Sequence, residues 1–188
     1  MTVNGETLVI VNPVAGAGNG GRLWPAIRLH LAKLGLVFDA VMTEAPRHAT
    51  ALAADALKSG CRTLICVGGD GTLHEVINGL LQRQATGIPD LTVGVIPVGT
   101  GADFVRSLGL PRTWKEACAH IVQDPTRLVD VGEITYVGQA GEEHRFFINV
   151  AGLGFDGEVA SRVTYSSKHL GGTIPYFSNM VLTLVSYA

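Results

Sequence analysis

A glycine-rich loop after an apolar run is the part of this sequence best suited to chemistry. The loop Gly68–Thr72 (GGDGT) follows the run Arg62–Val67, which predicts a buried strand. Glycines let backbone N–H groups point at phosphate oxygens, and a helix beginning near Thr72 adds favourable potential for an anion. A carboxylate beside a phosphate is repelled unless a cation lies between them, so Asp70 indicates Mg²⁺. Asp70 could instead orient or deprotonate an attacking hydroxyl, or only cap a turn.

An earlier loop, Asn12–Gly21 (NPVAGAGNGG), follows the apolar run Glu6–Val11 and precedes a helical pattern. Its GxGxxG spacing, with Asp39 further along, meets the crude fingerprint of a dinucleotide site. Asn12 and Pro13 stand where that fingerprint needs its first glycine, so we favour a nucleotide loop of another kind. A dinucleotide loop and a plain flexible loop stay open. GxxxxGK[ST] does not occur, which excludes a Walker-type loop.

A third loop, Pro97–Phe104 (PVGTGADF), also follows an apolar run. Thr100 could donate a hydrogen bond to a phosphate, and Asp103 could join Asp70 at a metal. The alternative for Asp103 is a helix N-cap. Thr43 could cap a helix or contact a ligand, and both roles stay open.

Two polar residues follow the GGDGT loop on its helix. Glu75 could complete a capping box with Thr72 or contact the nucleotide, and both roles stay open. His74 is at best a neighbour of the ribose. Neither residue identifies a reaction alone.

Alternating strands and helices predict an α/β fold with a mostly parallel sheet covered on both faces. The predicted strands are Glu6–Val11, Leu36–Met42, Arg62–Val67 and Leu91–Ile96, and the predicted helices are Gly21–Leu34, His48–Lys58, Leu73–Gln82 and Trp114–Val122. Ligands of such sheets bind beyond the carboxyl ends of the strands. The three glycine loops and Thr43 should therefore face one crevice.

From Arg127 the pattern changes. Strand-like runs Arg127–Val137 and Arg145–Ala151, separated by GQAGEEH, predict an antiparallel hairpin, and Ile174–Tyr187 predicts a helix. We therefore expect an α/β nucleotide domain over residues 1–126 and the incomplete start of a β-rich domain over residues 127–188. One hairpin and one helix make a poor domain, so we expect the chain to be truncated.

Composition narrows the class of protein. Hydrophobic residues make up 47% of the chain and charged residues 16%, which predicts a folded chain with a sizeable core. The net charge of −2 argues against a nucleic-acid partner. Cys61, Cys66 and Cys118 lack metal-ligand spacing and are expected to be buried thiols. Without a signal-peptide pattern, and with an apolar tail shorter than a membrane span, we expect a cytoplasmic protein.

Taken together, these segments resemble the diacylglycerol kinase catalytic domain family, which includes bacterial lipid kinases, sphingosine kinases and ceramide kinases. The resemblance lies in NPVAG (Asn12–Gly16), GGDGTLHEVINGL (Gly68–Leu80), PVGTGADFVRSLGLP (Pro97–Pro111), Val129–Gly132 and Phe147–Ala160. It implies an α/β domain similar to those of NAD kinases and phosphofructokinases, followed by a β-sandwich domain that forms the lipid site.

The loops and the resemblance together predict which residues contact ATP and which hold a metal ion. The residues expected to contact ATP are Asn12, Pro13, Val14, Ala15, Gly16, Thr43, Gly68, Gly69, Asp70, Gly71, Thr72, Leu73, His74, Glu75 and Thr100. The resemblance implies that Asp70, Asp103 and Asp130 hold Mg²⁺, directly or through water, and Asp70 is the expected catalytic residue. Asp156 and Glu158 are weaker candidates near the acceptor.

Two departures from the family concern these loops. His74 and Ala102 stand where members usually carry Asn. Members are also longer, and their further metal ligands and general base would lie beyond Ala188. We therefore expect these 188 residues alone to be inactive.

The resulting hypothesis is an ATP- and Mg²⁺-dependent lipid kinase that phosphorylates a diacylglycerol-like or sphingoid hydroxyl at a membrane surface. One alternative is a kinase with a soluble acceptor, like NAD kinase, and another is a non-catalytic nucleotide-binding module. A dehydrogenase is the least favoured alternative. A homodimer stays open.

Overall fold

The computed structural model describes residues 6–81, 91–99, 101–123, 126–138, 141–152 and 157. Its elements in chain order are β1 (Thr7–Val11), α1 (Ala15–Lys33), β2 (Asp39–Met42), α2 (His48–Lys58), β3 (Thr63–Gly68), α3 (Asp70–Leu81), β4 (Thr92–Pro97), α4 (Asp103–Ser107), α5 (Trp114–Gln123), β5 (Gly132–Gly138) and β6 (Gly141–Phe147). The chain forms two compact units, one up to Asn149 and one from Val150 onward. All of these helices and strands belong to the first unit.

A four-stranded parallel sheet organises the first unit, as the sequence predicts. Its strand order is β2-β1-β3-β4, and every neighbouring pair runs parallel. The two central strands are buried almost throughout because helices cover both faces of the sheet. Their short β-branched runs, such as TLVIV in β1, suit such a doubly covered position.

Alternate side chains of each strand enter opposite layers of the core. Leu8 and Ile10 pack with α2 and α3, while Val9 and Val11 pack with α1 and α5. The side chains of β1 and β3 in both layers are buried almost completely. The sheet is therefore a rigid platform for the loops at its carboxyl edge.

The first helix begins irregularly and ends as predicted. Gly16, Ala17 and Gly18 all have positive φ, so regular helical geometry begins only at Asn19. Gly35, with φ +85°, follows the last turn as a left-handed stop. The irregular start turns the loop after β1 back over the edge of the sheet.

The hairpin is present, but its predicted strand bounds are wrong. β5 begins at Gly132 rather than Arg127, and β6 runs over Gly141–Phe147 rather than Arg145–Ala151. The polar letters GEEH therefore lie within β6 instead of the turn. An antiparallel pair can face water on one side, so charged residues are tolerated there.

Other bounds and one short helix also differ from the prediction. α3 begins at Asp70, three residues before the predicted start, and the short helix α4 was not predicted. The predicted helix Ile174–Tyr187 lies outside the described residues. Among the described helices, none is long and apolar enough to cross a membrane.

Candidate functional site

The crevice lies where the strand order reverses direction. β1 is flanked by β2 on one side and β3 on the other, so the loops leaving β1 and β3 meet at the carboxyl edge. Asn12 joins them. Its backbone N–H donates to the Val67 carbonyl (2.9 Å), and its side-chain Nδ2 donates to Thr72 Oγ1 (2.9 Å). Its Oδ1 accepts from the Val14 N–H (3.1 Å), which shapes the start of the first loop.

Glycines allow the three loops to approach one another closely. A Cβ on Gly16 would lie 2.0 Å from the Val98 carbonyl oxygen, so the first loop touches the third. A Cβ on Gly99 would lie 2.8 Å from the Gly69 Cα, so the third touches the second. The sequence predicts convergence of these loops, and the structure confirms it. Thr100 lies outside the described residues.

Asp70 fixes the third loop to the second. Its Oδ2 accepts from the Asp103 N–H and its Oδ1 from the Phe104 N–H, both at 3.1 Å. Asp70 thus caps α4 from another element, while Ala102, the residue before α4, provides no side-chain cap. The alternative interpretation of Asp103 as the N-cap is wrong, because the N-cap position is Ala102 and α4 begins at Asp103.

The carboxylates of Asp70 and Asp103 line one small space. The position where a side chain of Gly101 would begin is 3.0 Å from Asp70 Oδ2 and 3.9 Å from Asp103 Oδ2. Each carboxylate offers about four lone-pair sites, so the two bonds that Asp70 accepts leave capacity for a cation. Mg²⁺ in nucleotide sites takes one or two carboxylates together with phosphate oxygens. Arg106 Nη2 donates to Asp103 Oδ1, so Asp103 offers its Oδ2 to this space. Asp70 and this oxygen of Asp103 fit such an ion.

Asp130 is exposed and lies in the segment before β5. Within the described ranges, no three His, Cys, Asp or Glu residues gather closely enough to hold a metal. The pair at Gly101 therefore stands without a third protein carboxylate beside it in the described structure. Asp130 as a third ligand stays a prediction.

Glu75 has a structural partner that its spacing did not reveal. Its Oε1 accepts from the Arg47 N–H (3.0 Å) and its Oε2 from the Ala49 N–H (3.2 Å). It therefore caps the N-terminus of α2 rather than forming a capping box with Thr72. Contact with a nucleotide stays a prediction for this residue.

Leu73 and Thr43, both predicted to contact ATP, have buried side chains. The Leu73 side chain is buried in the core, which leaves its backbone to face a ligand. Thr43 is buried directly after β2, and its N–H donates to the Val11 carbonyl (2.8 Å). By contrast Val14 is exposed at the rim of the first loop. These positions are compatible with contacts made mostly by main chain.

Burial is the main cause of the two shifted pKa values in and beside α3. Burial, and then the charges of Glu75 and Asp70, raise the pKa of the Cys66 thiol to about 12. Burial, and then the charge of Arg145, lower the pKa of His74. The thiol therefore stays protonated and inert. Cys61, Cys66 and Cys118 are all free and buried, as predicted.

An apolar cavity of about 310 Å³ lies between α3 and the segments that flank the hairpin. Leu73, Ile77 and Leu80 of α3 form one wall. Val129, Val131 and Ile148 belong to the segments that flank the hairpin, and they form another wall. Arg127 is the one charged residue among the described lining residues.

Sequence reasoning missed two residues of this region. One is Asp70 in its role as a cap for α4, for which the sequence carried no signal. The other is Asn78, fully buried on α3 and bonded to β6. Its signal was an amide amid apolar residues in VINGLL.

Comparison with known proteins identifies the family of this chain. A family model described as diacylglycerol kinase catalytic domain matches residues 6–134. A diacylglycerol kinase from Staphylococcus saprophyticus is 34% identical over 169 residues, covering 90% of this chain and 52% of that protein. A diacylglycerol kinase from Bacillus subtilis is 33% identical over 177 residues, covering 90% and 52%. The chain thus spans about half the length of the curated relatives it matches.

Solved structures show the same likeness. A crystal structure of a diacylglycerol kinase from Bacillus anthracis superposes with a TM-score of 0.59 at 31% identity, over 72% of this chain and 44% of that one. The sequence similarity and the structural likeness agree. The chain belongs to the diacylglycerol kinase catalytic domain family.

Proposed function

We propose that this chain carries the nucleotide-binding half of an ATP- and Mg²⁺-dependent lipid kinase. The enzyme transfers the γ-phosphoryl group of ATP to a lipid hydroxyl, diacylglycerol-like or sphingoid. The supporting observation is the position of the Asp70 carboxylate, which joins the second and third loops and lies beside Asp103.

The N-terminus of α3 provides the phosphate site in this proposal. α3 is 12 residues long and begins at Asp70, directly after the buried strand β3. Backbone N–H groups of its first turn carry partial positive charge, which stabilises phosphate oxygens. Gly69 and Gly71 leave room for the phosphates to approach that backbone. The first loop is bonded to Thr72 through Asn12 and lies against the third loop at Gly16.

Asp70 and Asp103 would hold Mg²⁺, with Asp130 as the proposed further ligand. The ion neutralises charge on the phosphates when it is bound. The residues of the chain hold the phosphates in place and keep the two carboxylates aimed at one space. The bonds from the α4 backbone to Asp70 fix that carboxylate before a nucleotide arrives.

An apolar acceptor is favoured by the cavity beside α3. Its apolar lining suits an acyl chain better than the polar groups of NAD. The relatives in the comparison are diacylglycerol kinases. We propose that the acceptor lies in a membrane surface and that a β-rich domain beginning near residue 127 helps to bind it.

Asp70→Asn tests the metal role. The asparagine keeps one oxygen to accept from the α4 backbone but loses the charge that binds the ion. We expect phosphoryl transfer in the full-length enzyme to fall by about 10² to 10⁴-fold, because an essential charged group is gone. The assay follows labelled ATP to diacylglycerol or sphingosine in mixed micelles, with NAD as the soluble acceptor. Calorimetry of ATP binding, with and without Mg²⁺, accompanies it.

The matched control is Asp55→Asn, an exposed carboxylate on α2 away from the loops. It should retain wild-type transfer. Near wild-type transfer by Asp70→Asn would contradict the metal role. Transfer to NAD but not to lipid would contradict the proposed acceptor.

A further inference from the structure

Asn78 is a buried amide in the middle of an otherwise apolar stretch of α3. Its exposed fraction is 0%, lower than that of any other buried polar residue among the described residues. Burying an amide is costly unless it is hydrogen-bonded. Its partners therefore indicate why this position carries an amide.

The amide pairs with both backbone groups of one residue in β6. Asn78 Nδ2 donates to the Phe146 carbonyl (2.9 Å), and the Phe146 N–H donates to Asn78 Oδ1 (3.0 Å). Nδ2 also donates to the His74 carbonyl one turn earlier in α3 (2.8 Å). These bonds use both donors and the acceptor of the amide, and they determine which way it points.

This pairing imitates one step of a β-ladder. Phe146 stands opposite Glu133 of β5, and its bonds to Asn78 lie on the other edge of β6. In an antiparallel pair, a residue that does not exchange bonds with its partner strand points them outward. A helix side chain takes the place of a neighbouring strand at this position. The bonds fix the hairpin at one point along α3.

α3 also has close contacts with α2. A Cβ on Gly79 would lie 2.2 Å from the Thr50 carbonyl oxygen, and Thr50 Oγ1 donates to the Glu75 carbonyl (3.0 Å). The helix thus packs against α2 on one side and bonds to β6 on the other. Asn78 lies about 12 Å along the helix from Asp70, at 1.5 Å per residue.

We propose that Asn78 is a positioning residue that fixes the hairpin, and with it the cavity wall at Val131 and Ile148, relative to the phosphate loop. The inference rests on the proposed function. The proposed nucleotide site is built on the N-terminus of α3, and Val131 and Ile148, which flank the hairpin, line the apolar cavity proposed for the acceptor. Asn78 acts through the hairpin, so it affects transfer to the acceptor and leaves ATP binding alone.

Asn78→Leu removes the three hydrogen bonds and keeps a side chain of similar size. We expect kcat for lipid phosphorylation in the full-length enzyme to fall by about 10²-fold, because small misplacements of reacting groups have that effect. The Kd for MgATP should stay within about twofold. Exchange of the Phe146 amide hydrogen, followed by NMR, should accelerate by at least about tenfold as its acceptor disappears.

Thr50→Val is the matched control, because it removes a hydrogen bond from the opposite side of α3 and leaves the hairpin untouched. It should change neither the exchange of Phe146 nor kcat. If Asn78→Leu does not fold, Asn78→Ala takes its place. It also removes the acceptor of the Phe146 N–H, with a smaller side chain, so the same exchange and kcat readouts apply.

Three outcomes would overturn the proposal: unchanged Phe146 exchange, unchanged kcat despite faster exchange, or parallel losses of kcat and MgATP binding. A wild-type enzyme without lipid transfer would overturn the proposed function instead. The exchange of the Phe146 amide hydrogen tests the contact between Asn78 and the hairpin whether or not the enzyme phosphorylates a lipid.

Discussion

The central sheet and the β5–β6 hairpin hold their positions in different ways. All five residues of β1 are buried, whereas no residue of β5 or β6, both fully described, is buried. Each central strand has a strand on both sides and helices on both faces. The hairpin contacts α3 along β6, where Asn78 supplies hydrogen bonds. The sheet is therefore placed by a large apolar core, and the hairpin by a few specific contacts.

The comparison predicts unequal costs for shortening side chains in the two regions. Ile10 is fully buried in β1, whereas Val137 in β5 is 88% exposed. Ile10→Ala should lower the free energy of unfolding by about 2–5 kcal/mol, because it removes buried methyl groups and leaves a cavity. Val137→Ala should change it by less than about 0.5 kcal/mol. Urea denaturation measures both, and similar losses would refute the contrast.

Two glycines of α3 test how closely the nucleotide side is packed. A Cβ on Gly79 would collide with Thr50 and approach Ala53 at 2.9 Å, whereas one on Gly71 meets nothing within 4 Å. Gly79→Ala should destabilise the fold by about 1–3 kcal/mol because α2 and α3 must separate. Gly71→Ala, in the same helix, should be neutral or stabilising by up to about 1 kcal/mol. Thermal unfolding of the two variants measures the difference, and equal effects would contradict the close packing.

The same contrast explains which parts of the fold could be predicted from sequence. The strands and long helices of the α/β part follow from local patterns of apolar residues, so their order and most bounds are confirmed. α4 was missed because five residues carry no periodicity and its cap, Asp70, lies 33 positions earlier. The hairpin bounds were wrong because an exposed strand such as GEEHRFF has little apolar signal.

The sequence predicted that the loops converge, but it did not predict the hydrogen bonds that link them. Glycines after strands indicated that the loops converge, because parallel strands bring their carboxyl ends to one edge. The bonds from Asn12 to Thr72 and from Glu75 to α2 depend on tertiary placement, which no spacing reveals. The residues that contact ATP and hold Mg²⁺ stay predictions.

His74 gives the smallest of the expected effects and reports on the hairpin directly. Burial lowers its pKa first, then the charge of Arg145 on β6, while Glu75 acts in the opposite direction. A histidine with a lowered pKa binds fewer protons when folded than when unfolded. Stability should therefore decrease slightly as the pH falls from about 6.5 toward the folded pKa, and His74→Asn should remove that dependence.

Arg145→Gln isolates the contribution of the hairpin. If β6 lies against α3 as Asn78 indicates, removing the Arg145 charge should raise the pKa of His74 toward its ordinary value, with burial still lowering it. NMR titration of the His74 ring measures this pKa, and Arg62→Gln, at the opposite end of the sheet, is the control. A pKa of His74 unmoved by Arg145→Gln would mean that the hairpin does not bring its charge to α3. That result would also contradict the hydrogen bonds between Asn78 and β6, because they need the same closeness of β6 to α3. The contrast would then rest on the burial of the central sheet alone.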